Sequence, residues 1–260
     1  MRLGALVSPV GYRHPGQLVK IMTTVDEMSG GRVEAGFGAG WNEQEHRSYG
    51  LPFPPIAVRA QMLEEQLAIA HGLWTEPDGW SFDGRHVQIH GAQFDPKAVD
   101  VAGRPRTASG AVRPRIIVGG EGSPRSMRMA ARWADEFNLS STGPELAAEK
   151  QVRLSAACEA IDRDPATLTR SAMVGAMIGA DEAEVAARGA ALMAAVGVAD
   201  GSSEWIEARR ARWIIGTPDQ ARAMVRRFAD AGIERIMLQD FLPWDLDMID
   251  QLGAELIGKV

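Results

Sequence analysis

A chain of 260 residues, 45% apolar and 24% charged, is long enough for one large core and has the composition of an ordinary globular protein. Its formal net charge of -6 and pI near 5.5 argue against a dedicated nucleic-acid binder, which carries a basic face to neutralise phosphates, and favour a small-molecule partner. The single cysteine, Cys158, excludes an internal disulfide and fits a reducing, cytoplasmic compartment; the apolar run at 3–10 is too short to span a membrane, and no small-residue cleavage site follows it.

Short apolar runs of strand length alternate with longer stretches of helical period, the pattern of parallel strands joined by crossover helices, so the expected fold class is α/β. The first strand is Leu3 to Ser8, ending at the Ser8-Pro9 bend. Pro15 to Met28 follows as a helix, with Leu18, Ile21, Met22 and Val25 at helical spacing and the glycines of "SGGR" as its stop. Val33 to Gly38 is the second strand. From Ala39 to Arg115 the chain is too long for a simple connection. It holds the proline-rich "YGLPFPP", a helix around Ala57 to Trp74, and "WSFDGRHVQIHG", where Asp83-Gly84 between alternating residues predicts a β-hairpin. Residues 96–114 read as irregular surface. Four more strands, Arg115 to Val118, Glu136 to Leu139, Ala172 to Ile178 and Arg235 to Gln239, bring the expected total to six. A second excursion, Val196 to Gly216, carries "DGSSEWIEARRARW" before a helix starting near Pro218. Long loops of this kind tend to face substrate in α/β barrels.

Two stretches have the composition of a binding site. In "VEAGFGAGWNEQEH" a strand runs into Gly36, Gly38 and Gly40, and small residues at a strand's C-terminal end let a flat ring approach the backbone, with Trp41, Asn42 and Glu45 around it. The competing reading is a glycine-rich turn with a buried Trp41. The dinucleotide fingerprint does not fit, because no helix opens on these glycines and no acid ends the next strand. In "RIIVGGEGSPRSMRMAARWADEFN" a buried strand meets Gly119, Gly120 and Gly122, and Ser123-Pro124 marks a helix start whose outward amide groups and dipole suit an anion, most plausibly a phosphate, with Arg125 placed to assist. Seven arginines and a lysine lie between Lys97 and Arg132; they read either as a receptor for a polyanion or as a solvated basic face. His86 and His90 lie in the hairpin with no carboxylate or cysteine at ligand spacing, and His14 and His46 are isolated in sequence, so no metal site is expected; neither a P-loop nor a nucleophile elbow is present.

Taken together, "LVSPVGYRHP", "TTVDEMSGGRVEAGFGAGWNEQEHRSYGLPF", "IIVGGEGSPRSMRMAARWADEFN" and "GTPDQARAMVRRFADAGIERIMLQ" resemble the luciferase-like monooxygenase family, and within it the oxidoreductases that use the deazaflavin coenzyme F-420. The resemblance covers essentially all of 1–260. It implies a (β/α)₈ TIM-type barrel with insertions, with the coenzyme at the C-terminal mouth of the strands. It also implies that "LGALVSP" is the family's third strand, with a non-prolyl cis peptide placed here at Leu6-Val7. Leu6, Val7 and Ser8 would then support the coenzyme ring, Gly38, Gly40, Trp41 and Asn42 would form the neighbouring wall, and Gly119, Gly120, Gly122, Ser123 and Arg125 would take the phosphate. Six strands instead of eight imply that the first two βα units, roughly 60 residues, are absent, and that the opened edges invite aggregation or a homodimer through the gap. The function implied is hydride exchange between reduced F-420 and a small organic substrate. An FMN monooxygenase using molecular oxygen is the alternative, and a catalytically inactive truncated paralogue or a mis-assigned start is the reading from another class. Among catalytic residues only Glu45, His46 and Tyr12 stand as candidates.

Overall fold

The computed structural model describes residues 1–198 and 204–259. The chain divides into two compact units, one of Met1–Phe137 with Leu154–Leu168, the other of Asn138–Arg153 and the residues from Thr169 onward. Both are α/β, with mostly parallel strands.

The first unit contains, in order, β1 (Leu3–Gly4), β2 (Ser8–Pro9), α1 (Pro15–Met28), β3 (Val33–Gly38), α2 (Glu43–Ser48), α3 (Ile56–Thr75), the antiparallel hairpin β4 (Trp80–Asp83) and β5 (Gln88–Ala92), β6 (Arg115–Gly120) and α4 (Pro124–Trp133). β1 and β2 both run parallel to β3, at Leu3 opposite Val33 and Ser8 opposite Phe37, and β3 runs parallel to β6 from Glu34 opposite Arg115 to Phe37 opposite Val118. The run expected as one strand is therefore two short ones, interrupted at Ala5 to Val7, and the Leu6-Val7 peptide bond is cis where the resemblance implies it.

Helix α1 starts and stops where the sequence predicts. His14 caps it by accepting the Gly16 amide at 3.2 Å, and Pro15 takes the first helical position, whose N–H would have no partner in any case. Its buried face is Leu18, Val19, Met22, Thr23 and Asp26, while Ile21 and Val25 stay exposed. Polar groups decide this rotation. Thr23 receives the Trp74 indole N–H at 2.8 Å, and fully buried Asp26 accepts from the amides of Val33 at 3.2 Å and Val99 at 3.1 Å and from the Arg104 guanidinium. The segment 96–114, irregular as expected, is thus pinned to the core through Val99 and buried Arg104 instead of lying loose on the surface. The hairpin is held from α3, where the Glu65 carboxylate accepts the amides of Arg85, His86 and Val87 at 2.8 to 3.2 Å.

Strand β7 (Glu136–Ser140) and helix α5 (Pro144–Glu159) each contribute residues to both units. In the second unit β8 (Thr169–Ile178) runs parallel to β10 (Arg235–Asp240), from Ser171 opposite Arg235 to Ala176 opposite Asp240, and to β9 (Ile214–Gly216) at Ala176 opposite Ile214. Helices α6 (Glu182–Ala195), α7 (Glu204–Arg210), α8 (Pro218–Asp230) and α9 (Leu246–Leu256) complete it, and Val174, Ile178, Leu192, Ile214, Phe228 and Leu252 form its core. β9 was not among the six expected strands, because three buried residues give no period to read. The start of the second predicted excursion, residues 199–203, lies outside the described residues.

Candidate functional site

The predicted site residues all belong to the first unit, and the structure sorts them into three groups. The first is a seat of small residues at the adjoining C-terminal ends of β2, β3 and β6. Val7 is wedged into it: a methyl group added at Gly38 would lie 2.4 Å from Val7 Cγ2, and one at Gly119 would lie 2.9 Å from Val7 Cγ1. Carbon atoms do not approach so closely, so glycine at both positions is what lets the Leu6-Val7 bend sit on its neighbouring strands. Ser8 is buried one row along, opposite Phe37.

The second group is the turn from β6 into α4. Ser123 is the N-cap, its hydroxyl oxygen accepting the Ser126 amide at 3.2 Å, and Pro124 opens the helix. Gly122 adopts φ +80°, a conformation that carries the chain into the helix and that glycine takes without penalty. A Cβ at Gly120 would meet only Ser126, at 3.6 Å, so the backbone there is approachable. The first helical turn leaves amide groups without intrahelical acceptors beside the positive end of the dipole. Arg125, expected to assist, is instead turned to α3, donating to the Ala57 carbonyl and the Glu64 carboxylate at 3.3 Å each. The arginine-rich stretch is likewise largely neutralised. Five of its seven arginines are paired, Arg104 with Asp26, Arg106 with Asp100, Arg113 with Asp135, Arg115 with Glu136 and Arg125 with Glu64. That pairing removes most of the charge a polyanion would have used.

The third group surrounds the turn after β3. Gly40 adopts φ +78°, and Asn42 caps α2 by accepting the Glu45 amide at 3.1 Å, so its side chain is committed to the helix. Trp41 is 86% exposed, which excludes the buried-tryptophan reading of this turn. His46 is buried, with its Nδ1 2.8 Å from the Asn42 carbonyl oxygen. A carbonyl only accepts, so Nδ1 carries a proton, and Nε2 is shielded, with no hydrogen-bond partner among the described residues. Tyr12 and Phe53 contact the imidazole with ring centroids at 4.7 Å each. Sequence reasoning missed Arg59, which stands 3.7 Å over the Phe53 ring and donates to the carbonyls of Ala39 at 3.1 Å and Pro54 at 2.6 Å. Burial pushes its guanidinium below the usual arginine range. Arg59 shares the buried face of α3 with Leu63, Gln66 and Ala70, a placement that no local motif announces.

The Tyr12 hydroxyl is shielded by its immediate neighbours although its loop runs at the surface, and among the described residues it has no hydrogen-bond partner of ordinary geometry. That shielding, and after it the nearby Glu45 carboxylate, pushes the phenol up to about 12. The chain has two tyrosines, so in a Tyr49→Phe variant phenolate absorbance reports Tyr12 alone, with an expected midpoint near 12. Because the folded value lies above the ordinary 10.0, this group's contribution to stability is complete below pH 10 and is lost as pH rises towards 12. A midpoint near 10 in the folded protein would show that the hydroxyl is not shielded.

The first 235 residues match the family model described as luciferase-like monooxygenase. Among curated proteins, the chain is 29% identical over 147 residues to an F-420-dependent glucose-6-phosphate dehydrogenase of Microbacterium testaceum, covering 56% of this chain and 39% of that one. It is 31% identical over 124 residues to an FMNH(2)-dependent dimethylsulfone monooxygenase of Pseudomonas putida, covering 47% and 31%. The matches span less than half the length of these relatives. Among solved structures, an F-420-dependent secondary alcohol dehydrogenase in complex with an F-420-acetone adduct shares the fold with a TM-score of 0.77 at 16% identity, covering 96% of this chain and 78% of that one. With an α/β fold of mostly parallel strands, glycine-lined strand ends and a family match over nearly its whole length, the chain belongs to the luciferase-like monooxygenase family.

Proposed function

We propose that the chain serves an oxidoreductase in which a hydride passes between reduced F-420 and a small organic substrate. The observation that carries the reading is the seat formed by Val7 against Gly38 and Gly119, next to the open backbone at Gly120 and the N-terminus of α4. With Val7 seated down on the glycine backbone of the adjoining strand ends, the platform stays low enough for the face of a flat ring, and the first-turn amide groups of α4 suit the phosphate that ends its ribityl chain. In this reading Leu6, Val7 and Ser8 support the ring from below, Gly38, Gly40 and Trp41 flank it, and Gly119, Gly120, Gly122 and Ser123 hold the phosphate. Arg125 reaches the phosphate only by leaving Glu64. The coenzyme, when bound, supplies the hydride chemistry; the protein orients the ring and excludes water from its face. Likeness to an F-420-dependent dehydrogenase supports the deazaflavin.

Fluorescence titration of the protein with F-420 tests this, and saturable quenching that competes with inorganic phosphate is the expected result. No binding sinks the reading. The likeness to an FMNH(2)-dependent monooxygenase favours a second reading with FMN in the same seat, since both coenzymes carry a phosphate at the end of the ribityl chain. FMN binding with flavin-coupled oxygen uptake, and none of F-420, would favour it instead.

A further inference from the structure

Away from the glycine seat, a shallow, open concavity of about 610 Å³ lies in the first unit, lined by Gln17, Lys20 and Ile21 of α1, by His14 at its N-cap, and by Ile89 and Phe94 among the residues facing them. A depression of this size can seat one side of a small organic molecule. Buried Phe94 contributes its ring, with the Lys20 ammonium 5.0 Å from the ring centroid. No Asp or Glu lines the concavity, and Lys20 has no carboxylate partner among the described residues. Lys97, 5.7 Å from the same ring, is already committed to the carbonyls of Leu73 and Glu76 and to Asp78.

His14 adds a second donor. Its Nδ1 accepts the Gly16 amide, which leaves the proton of the neutral ring on Nε2. His14 is the N-cap of α1, where the dipole also favours negative charge, and Lys20 lies in the second turn. Further along, the exposed face of the same helix turns apolar, with Ile21, Val25 and Met28 at i, i+4 and i+7, about 10 Å of helix. Donors from His14 and Lys20 thus line the concavity, and an uncovered hydrocarbon run continues beyond it along α1 from Ile21.

We propose that this groove binds an amphipathic carboxylate. Its head lies against Lys20 and His14, and its apolar body lies on Phe94, Ile89 and Ile21 towards Val25. An amine of the same shape is repelled at the head, and a neutral alcohol forgoes the Lys20 charge. The proposal does not rest on the coenzyme reading.

Calorimetric titration of the full chain with octanoate, octan-1-ol and octylamine tests it. Octanoate is expected to bind saturably and more tightly than octanol, and octylamine not to bind. Lys20→Glu, on an exposed side chain, is expected to weaken octanoate roughly tenfold while leaving the urea midpoint in place. Ile21→Asp is expected to weaken it as well. Absence of octanoate binding, equal binding of octanol, or indifference to Lys20→Glu overturns the proposal. A dimer on a sizing column that Ile21→Asp dissociates, with no octanoate heat, would assign the face to a second copy of the chain and overturn it too.

Discussion

Asp26→Ala is expected to lower stability by about 3 to 5 kcal/mol, the loss associated with breaking a buried ion pair from one side. The carboxylate is fully buried and accepts two backbone amides, one at the start of β3 and one in the segment 96–114, together with the Arg104 guanidinium. Removing it leaves a cation buried with no anion, and Arg104 Nη1 already lacks a partner. Against total stabilities of about 5 to 15 kcal/mol, such a change brings the first unit near its threshold. Urea unfolding followed by tryptophan fluorescence measures the effect, and adding Arg104→Met to Asp26→Ala is expected to restore part of the loss by removing the stranded charge. A loss below about 1 kcal/mol would mean that water reaches the site and that the network is not buried as described.

Gly38→Ala is expected to weaken coenzyme binding by at least about tenfold, with a destabilisation of about 1 to 3 kcal/mol from overpacking. The added methyl falls 2.4 Å from Val7 Cγ2. Val7 has little room to yield, because it also lies against Gly119 and Gly36, where an added carbon would stand 2.9 and 3.1 Å from Val7 Cγ1. The Leu6-Val7 bend must therefore shift, and with it the surface offered to the ring. Parallel titrations with F-420 and with urea separate the two effects. Val7→Ala combined with Gly38→Ala is expected to recover both affinity and stability, because the smaller side chain makes space for the methyl. Affinity unchanged in Gly38→Ala would show that the ring does not rest on this seat.

Several features that set these expectations were legible in the sequence because their causes are local. The limits of α1 follow from His14-Pro15 at one end and "SGGR" at the other, and the start of α4 follows from Ser123-Pro124. The hairpin follows from alternation around Asp83-Gly84. Each of these signals is complete within a few neighbouring residues. The site's glycines were legible for a related reason, since glycines at the end of an apolar strand mark a close approach to the backbone, although only the fold shows that Val7 makes it at Gly38 and Gly119.

What depends on distant partners was not legible. The sequence treated Leu18, Ile21, Met22 and Val25 as one face of α1, but Thr23 and Asp26 turn inward to meet Trp74 and Arg104, 51 and 78 residues away in sequence, and so leave Ile21 and Val25 outside. The basic stretch from Lys97 to Arg132 looked like a receptor for negative charge. Its carboxylate partners come mostly from other elements, so only folding reveals that five arginines are neutralised. Arg59 gave no motif, and its role appears only once α3 brings it under the Ala39 carbonyl. The sequence by itself determined the class of fold, the ends of its helices and the glycines at its strand ends. Tertiary structure decided which side chains are buried, which charges are spent and where an open groove remains, because those outcomes depend on contacts between residues that no local pattern brings together.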